Sequence, residues 1–371
     1  LLVTALLVAI GVAYLLVSRF GFGEIFTLAP VEFMEADTHH SVLQSIAELP
    51  VPPGNIAVSA TGRVFFTFHP EFKPRNTKVA ELTYIRERRN TFRKFPSTDF
   101  QDRCVSCLAL RVDMTERLWV LDHGGHGIEG TPALHAVQLR RNETDKDNLI
   151  FSYDFPSDVA GMGSFLNDFQ VDADGDFIYI ADTSMLRGDP GLIVFSVQQR
   201  TSVRVLSSHS SMFGVSSFFD VGETTVKLPG PLGMRINVDS IALDRVAGRW
   251  LYFGAMTSHN LFAVPDDDNT KAASAKLSAA VMLVTDEKPV TDGLSTDPMG
   301  NIYMTAPENE LMFTTPPKFK LRKFVQSDDH LRWPDGISFG PKGLYVTASA
   351  LHVKLMGLDI NGHAPFHIFK V

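Results

Sequence analysis

Asn167-Asp168-Phe169-Gln170-Val171-Asp172-Ala173-Asp174-Gly175-Asp176-Phe177-Ile178-Tyr179-Ile180-Ala181-Asp182 reads as two short apolar strands joined by an Asp/Gly turn, with an amide and an acid at the entry and an acid at the exit. Asp and Gly tolerate turn dihedrals, whereas Phe, Ile, Val and Tyr suit a pleated sheet. The hairpin recurs. Further copies start at Gly54-Asn55-Ile56, Ser106-Cys107-Leu108, Asp239-Ser240-Ile241, Asp292-Gly293-Leu294 and Asp335-Gly336-Ile337, so the first apolar residues (56, 108, 169, 241, 294 and 337) lie roughly 43 to 72 positions apart. After each copy the chain has room for two more strands. A repeat of about four short strands predicts an all-β, six-bladed β-propeller, a closed ring expected to span residues 41–371 as one domain. The last blade offers residues 337–347, 353–358 and 366–371 as strands. It is one strand short, so a segment near residues 42–49 is expected to supply its outer strand and join the ends.

The 371 residues, 44% apolar and 20% charged, can bury a large core. A net charge of −8 argues against a protein that grips nucleic-acid phosphates, which needs a concentrated basic surface. The richest basic run, residues 86–94, is interrupted by Glu87 and Asn90 and reads as a solvated hairpin. Cys104 and Cys107 are the two cysteines. A zinc ribbon needs a second pair, and a thioredoxin-like site needs a helix after the motif, where Leu108-Ala109-Leu110-Arg111-Val112 reads as a strand. The pair is therefore read as structural thiols or one local disulfide.

Residues 1–17 are apolar apart from Thr4, Gly11 and Tyr14, and the first charge is Arg19. They predict an N-terminal hydrophobic helix within residues 1–23, a signal anchor or a signal peptide, followed by a lead-in linker at 24–40. No A-x-A pattern follows, which favours the anchor, and an uncleaved segment would tie the protein to a membrane. Either reading sends the propeller into the secretory route. Asn142-Glu143-Thr144 is a glycosylation acceptor that agrees with it.

In a propeller the inner strands begin around the central channel, so residues at one repeat offset converge. Two positions before each first apolar residue stand Gly54, Ser106, Asn167, Asp239, Asp292 and Asp335. Asn167, Asp239, Asp292 and Asp335 are the candidate metal ligands: like charges in one small volume call for a proton or a cation, and oxygen-only donors suit Ca²⁺. The competing reading makes the acids strand-entry turn caps. Asp172, Asp244 and Asp297 fall at the hairpin turns and read as structural. Asn55 and Asp168, beside the entry positions, and His123 and His126, in Asp122-His123-Gly124-Gly125-His126-Gly127, are the candidate ligand-binding residues. H-E-x-x-H and phosphate-cradling motifs do not occur.

Pro53-Gly54-Asn55-Ile56-Ala57-Val58, Arg117-Leu118-Trp119-Val120-Leu121-Asp122 and Tyr179-Ile180-Ala181-Asp182-Thr183-Ser184 resemble the yellow/major royal jelly protein family from about residue 50 to 350. The resemblance implies a secreted six-bladed propeller that binds small molecules at one mouth of its channel, with members linked to amines, pigment precursors or sterols. His123 departs from the Gly or Ser expected there. A more distant similarity is to the gluconolactonase/senescence-marker group, whose propellers hold a divalent metal through one Glu, Asn residues and an Asp. Asn167 and Asp292 are similar to two of those ligands, while Asp239 stands where an Asn is usual. Gly54-Asn55 replaces that group's Glu, and Phe165 its usual Arg. The expected function is small-molecule binding at the channel mouth. The alternative is calcium-dependent lactone hydrolysis, in which the cation polarises the ester carbonyl and Asp292 activates water.

Overall fold

The computed structural model describes residues 43–371 except 75, 86–87, 141–145, 222–223, 229–234, 245–249, 268–269 and 271–274. The expected N-terminal helix and the triplet at Asn142 lie outside the described residues. No helix among the described residues is long and apolar enough to cross a membrane.

Six four-stranded antiparallel sheets form the ring. Their inner strands are Pro53–Val58, Cys107–Val112, Leu166–Val171, Val238–Leu243, Leu294–Thr296 and Pro334–Gly340, and each packs against the next, with the sixth against the first. Blade 3 is typical: Leu166–Val171, Phe177–Asp182, Gly191–Ser196 and Thr201–Val205 pair in sequence order. The first three strands are almost wholly buried because a neighbouring blade covers each face. The outermost alternates, since one face meets water. The core lies between blades. Trp119, Phe155, Phe169 and Phe195 fill the seam of blades 2 and 3, each contributing about 1.5–3 kcal/mol of burial.

Blade 6 is closed by the N-terminal strand Gln44–Leu49, which pairs with Phe366–Lys370 from Gln44 opposite Lys370 to Leu49 opposite Phe366. The segment 353–358, read as a strand, belongs instead to the region of a short helix, His352–Leu355. This helix borders the channel mouth and packs on an extra hairpin, Phe218–Val221 with Thr224–Lys227, inserted between blades 3 and 4. Trp333, fully buried, sits beneath both. An apolar run that short does not distinguish strand from helix; burial against Trp333 and the hairpin decides it.

The inner strands bulge at the channel. Register shifts fall between Leu166 and Asp168, between Val238 and Ser240, and between Pro334 and Ile337, leaving Asn167, Asp239 and Asp335-Gly336 as the extra residues. A bulge re-aims the side chain it releases, and in these three blades it turns Asn167, Asp239 and Asp335 toward the axis. Gly293 and Gly336 follow the axial acids for a different reason from the turn chemistry the sequence suggested. A Cβ on Gly293 would meet the Asp335 carbonyl at 2.1 Å, and one on Gly336 would meet the Asn55 Cα at 2.7 Å. The next blade's backbone passes there, so a side chain would push the ring open. Threonine hydroxyls stitch the same level: Thr67 Oγ1 donates to the Leu108 carbonyl at 2.8 Å, and Thr347 Oγ1 to that of Gly54 at 2.5 Å.

Candidate functional site

Asn167, Asp239, Asp292 and Asp335 reach the axis at two levels, Asn167, Asp239 and Asp335 at bulges and Asp292 just before its blade's inner strand. Asn167, Asp239 and Asp292 form the floor of a chamber of about 270 Å³ at the channel mouth. Below it lies a pocket of about 20 Å³, where Asp335 and Asp168 join Asn167 and Asp292; that is room for one water or one ion.

The outer level is held from three sides. The Asn167 amide Nδ2 donates to Asp239 Oδ1, which also accepts from Thr183 Oγ1 at 3.1 Å. The indole Nε1 of Trp333 donates to Asp292 Oδ2 at 2.5 Å. Asp239 and Asp292 are hydrogen-bonded to each other, and both carboxyls are pushed up by burial, Asp239 further by the neighbouring charge of Asp292. Two carboxyls so placed share a proton unless a cation replaces it. Lys288, fully buried with Nζ on the Pro289 carbonyl at 2.8 Å, is pushed down to about 7 by burial, with Asp239 opposing the fall.

The inner level carries its own cation. Arg111, from the inner strand of blade 2, donates through Nη2 to both oxygens of Asp168 at 2.7 Å and through Nη1 to Asn55 Oδ1 at 2.8 Å. Asn55 and Asp168 are thereby committed to an internal network and face the small pocket, outside the chamber. Asp168 is raised to about 6 because burial outweighs Arg111, and Asp335 is raised by burial and by Asp292 and Asp168.

The chamber walls are largely apolar: Phe165, Met185 and Leu186 from blade 3, Met256 from blade 4, and Leu351 and Leu355 around the short helix, which also presents Lys354 to the chamber. His69, Glu71 and His126 close the remaining side. His126 stacks on Phe165 with centroids 4.6 Å apart, and its Nε2 lies 3.5 Å from Glu71 Oε1. That contact, first among its causes, lowers Glu71 to about 2. His123 does not line this chamber. It faces a separate cavity of about 450 Å³ between blades 1 and 2, which Glu71 and His126 also border.

The hairpin-turn acids hold loops. Asp172 Oδ1 accepts from the Asp176 and Phe177 amides, and Asp297 Oδ1 from those of Met299 and Asn301. At the exits, Asp122 accepts from the amides of Val105, Ser106 and Gly124 at 2.6, 2.8 and 2.8 Å, tying down the loop that carries both histidines. Cys104 and Cys107 form a buried disulfide.

Arg111, Trp333, His69, Glu71 and Thr183 escaped the sequence reading. Arg111 stands in an ordinary strand pattern, and its direction follows only from the bulge between Cys107 and Ala109. Trp333 stands two residues before Asp335, where blade 5 has Val290 before Asp292, so no repeat signal marks it.

The oxygen donors of Asn167, Asp239 and Asp292 fit a hard divalent cation that completes its shell with water. They do not form a three-carboxylate cage. Among the described residues, the one His/Cys/Asp/Glu group of three with ligand atoms all within 4.8 Å is Cys104, Cys107 and Asp122, where the sulfurs are spent on the disulfide.

Comparison with known proteins agrees with this architecture. Protein yellow of Drosophila yakuba is 28% identical over 275 residues, covering 68% of this chain and 48% of that protein. Protein yellow of Drosophila erecta matches over the same share, so the chain spans about half the length of the curated relatives it matches. Among solved structures, a gluconolactonase from Xanthomonas campestris superimposes with a TM-score of 0.54 at 12% identity, covering 93% of this chain and 99% of that one. A calcium-binding protein, regucalcin, from Agrobacterium tumefaciens gives a TM-score of 0.55 at 14% identity, over 87% and 90%. At such identities these structures share the fold. The family model described as major royal jelly protein matches residues 105–356, and with the six-bladed ring and its axial entry residues this establishes that the chain belongs to the major royal jelly protein family.

Proposed function

We propose that this propeller binds a small amphipathic molecule at the channel mouth, with its apolar body in the chamber and a cationic head on Asp239 and Asp292. One observation carries the reading: two buried, neighbouring carboxyls, Asp239 and Asp292, lie at the floor of a chamber whose walls are largely apolar. Such a pair holds one negative charge in a poorly hydrated place, where a monocation is attracted and can take the role of the shared proton. A chamber of about 270 Å³ suits a ligand of one ring and a short chain. The Cys104–Cys107 disulfide and the apolar residues 1–17 support export through an oxidising compartment.

Titration calorimetry with 2-phenylethylamine and its uncharged analogue 2-phenylethanol tests the reading. The amine should bind more tightly, and Asp292→Asn should weaken it by about tenfold or more while leaving the alcohol nearly unchanged. Equal affinities, or an amine indifferent to Asp292→Asn, would refute it.

The donor set of Asn167, Asp239 and Asp292 favours a second reading, calcium-dependent lactone hydrolysis. These residues would hold the ion, which would supply Lewis-acid polarisation of a carbonyl. Asp292 would serve as the base, provided Trp333 releases the oxygen it now occupies. Calcium-dependent turnover across a lactone panel would support this reading.

A further inference from the structure

One of the six entry positions brings no side chain to the axis: Gly54, in blade 1. A Cβ there would stand 3.0 Å from Thr67 Oγ1 and 3.4 Å from the Cα of His69, the residue that follows the second strand of this blade, Val64–Phe68. His69 takes the place that Gly54 leaves open. It is 5% exposed and borders both the chamber and the inner pocket, as Asn167 and Asp292 also do, so it stands at the depth of the chamber floor.

The ring is held on three sides. The His69 amide donates to the Pro52 carbonyl at 2.9 Å, Nδ1 accepts from the Glu71 amide at 3.2 Å, and Phe72 meets the ring edge-on with centroids 5.9 Å apart. Because Nδ1 accepts a backbone N–H, the proton of the neutral imidazole is on Nε2. Burial keeps the ring neutral at physiological pH by lowering it to about 4, with Glu71 opposing the fall. Nε2–H donates to no group among the described residues. It is not sealed in the interior either. His123 Nε2 and His126 Nδ1 are buried without partners, whereas His69 Nε2 keeps contact with open space, at a residue that borders the chamber and the inner pocket. A metal-bound histidine donates through its other ring nitrogen; here that nitrogen accepts, so what Nε2 offers a bound molecule is a hydrogen bond.

Water serves such a donor while the site is empty. A ligand seated on the floor displaces that water, and the donor then stays unpaired unless the ligand brings an acceptor, which is how a site rejects an analogue lacking one polar group. A hydroxyl fits, because it accepts from Nε2–H and adds no negative charge beside Asp239 and Asp292. Since His69 is level with Asp292, this hydroxyl belongs next to the ammonium and not at the far end of the ligand. Building on the amine reading above, we infer that His69 is a specificity-determining residue that selects a 2-amino alcohol, whose ammonium rests on Asp239 and Asp292 while its hydroxyl accepts from His69 Nε2–H.

Titration calorimetry on the purified protein tests this with 2-phenylethylamine and the two enantiomers of 2-amino-1-phenylethanol, which carry one hydroxyl more. One enantiomer should bind about tenfold more tightly than 2-phenylethylamine, the worth of one buried hydrogen bond. The other should gain little, because ring, ammonium and hydroxyl are each held at a fixed point. His69→Phe should abolish the preference while leaving 2-phenylethylamine within about threefold, and His69→Gln, which keeps an N–H donor, should restore part of it. The ratio of affinities separates this role from a structural one, since a loosened site would weaken all three ligands together. Should His69→Phe misfold, the enantiomers on the parent protein and His69→Gln decide the matter. Equal affinities for all three ligands in the parent, or a preference that survives His69→Phe, would overturn the inference and leave Nε2–H to water in the inner pocket. Both results leave the amine reading standing as long as 2-phenylethylamine binds more tightly than 2-phenylethanol; if it does not, both readings fall.

Discussion

Replacing Arg111 with Met removes the cation that allows a carboxylate to exist at the inner level of the channel. Asp168 is 5% exposed and loses two bonds of 2.7 Å, and Asn55 loses one of 2.8 Å. Breaking a buried pair from one side costs about 3–5 kcal/mol, because the partner's charge stays behind unpaired. With about 2.1 cal/mol/K of unfolding entropy per residue, a chain of 371 residues should melt about 5 °C lower at pH 7.5. The sign of the pH dependence follows from Asp168. Its folded pKa is already raised to about 6 from 3.8 with Arg111 present, and losing the guanidinium raises it further. As pH rises above about 4 the unfolded chain releases this proton first, so stability falls until the folded group ionises too. At pH 4.5 the variant keeps Asp168 neutral, and the deficit should shrink to the lost hydrogen bonds, about 1–2 kcal/mol. Adding Asp168→Asn to Arg111→Met should recover most of the loss at pH 7.5. Calorimetric melts of the parent, both single variants and the double variant at the two pH values measure all of this. A loss under about 1 kcal/mol at pH 7.5, equal losses at both pH values, or no rescue in the double variant would refute the reasoning.

Asp239→Asn should mimic the proton-sharing state, keeping an acceptor for Asn167 and Thr183 and offering an N–H to Asp292. Because burial and Asp292 raise the folded pKa of Asp239, the parent loses stability as pH rises above about 4 and the variant avoids this loss. Urea unfolding without added cations should therefore find the variant more stable at pH 8 and equal to the parent below pH 4; a less stable variant at pH 8 would contradict the shared proton. Asp122→Ala orphans three backbone amides and should cost about 2–4 kcal/mol. Faster hydrogen exchange should then be confined to the loop of residues 123–130, and an unchanged exchange pattern would show that Asp122 does not hold it.

The sixfold ring was legible because each inner pair repeats the same alternation and turn, and Asp172 and Asp297 hold those turns through contacts with residues two to five positions away. The axial positions could be read for a related reason: a fixed offset in a repeat becomes a fixed radius in a ring, which brought Asn167, Asp239, Asp292 and Asp335 to the channel. What the alignment could not separate is depth. Asp239 lines the outer chamber and Asp335 the inner pocket, because their blades bulge at different points of the ladder. Asp292-Gly293 and Asp335-Gly336 look like turn dipeptides, yet their glycines answer to the backbone of the next blade, a contact made by residues far away in sequence. Arg111 sits in a run indistinguishable from any other strand, and Trp333 and the helix His352–Leu355 acquire their roles only by meeting a hairpin inserted more than a hundred residues earlier. Local pattern specifies what each segment can become, since turn and strand preferences act over a few bonds. Which charges face each other across the channel, and whether a proton, an arginine or a ligand offsets them, is decided only when closing the ring brings distant residues together in a place with little water.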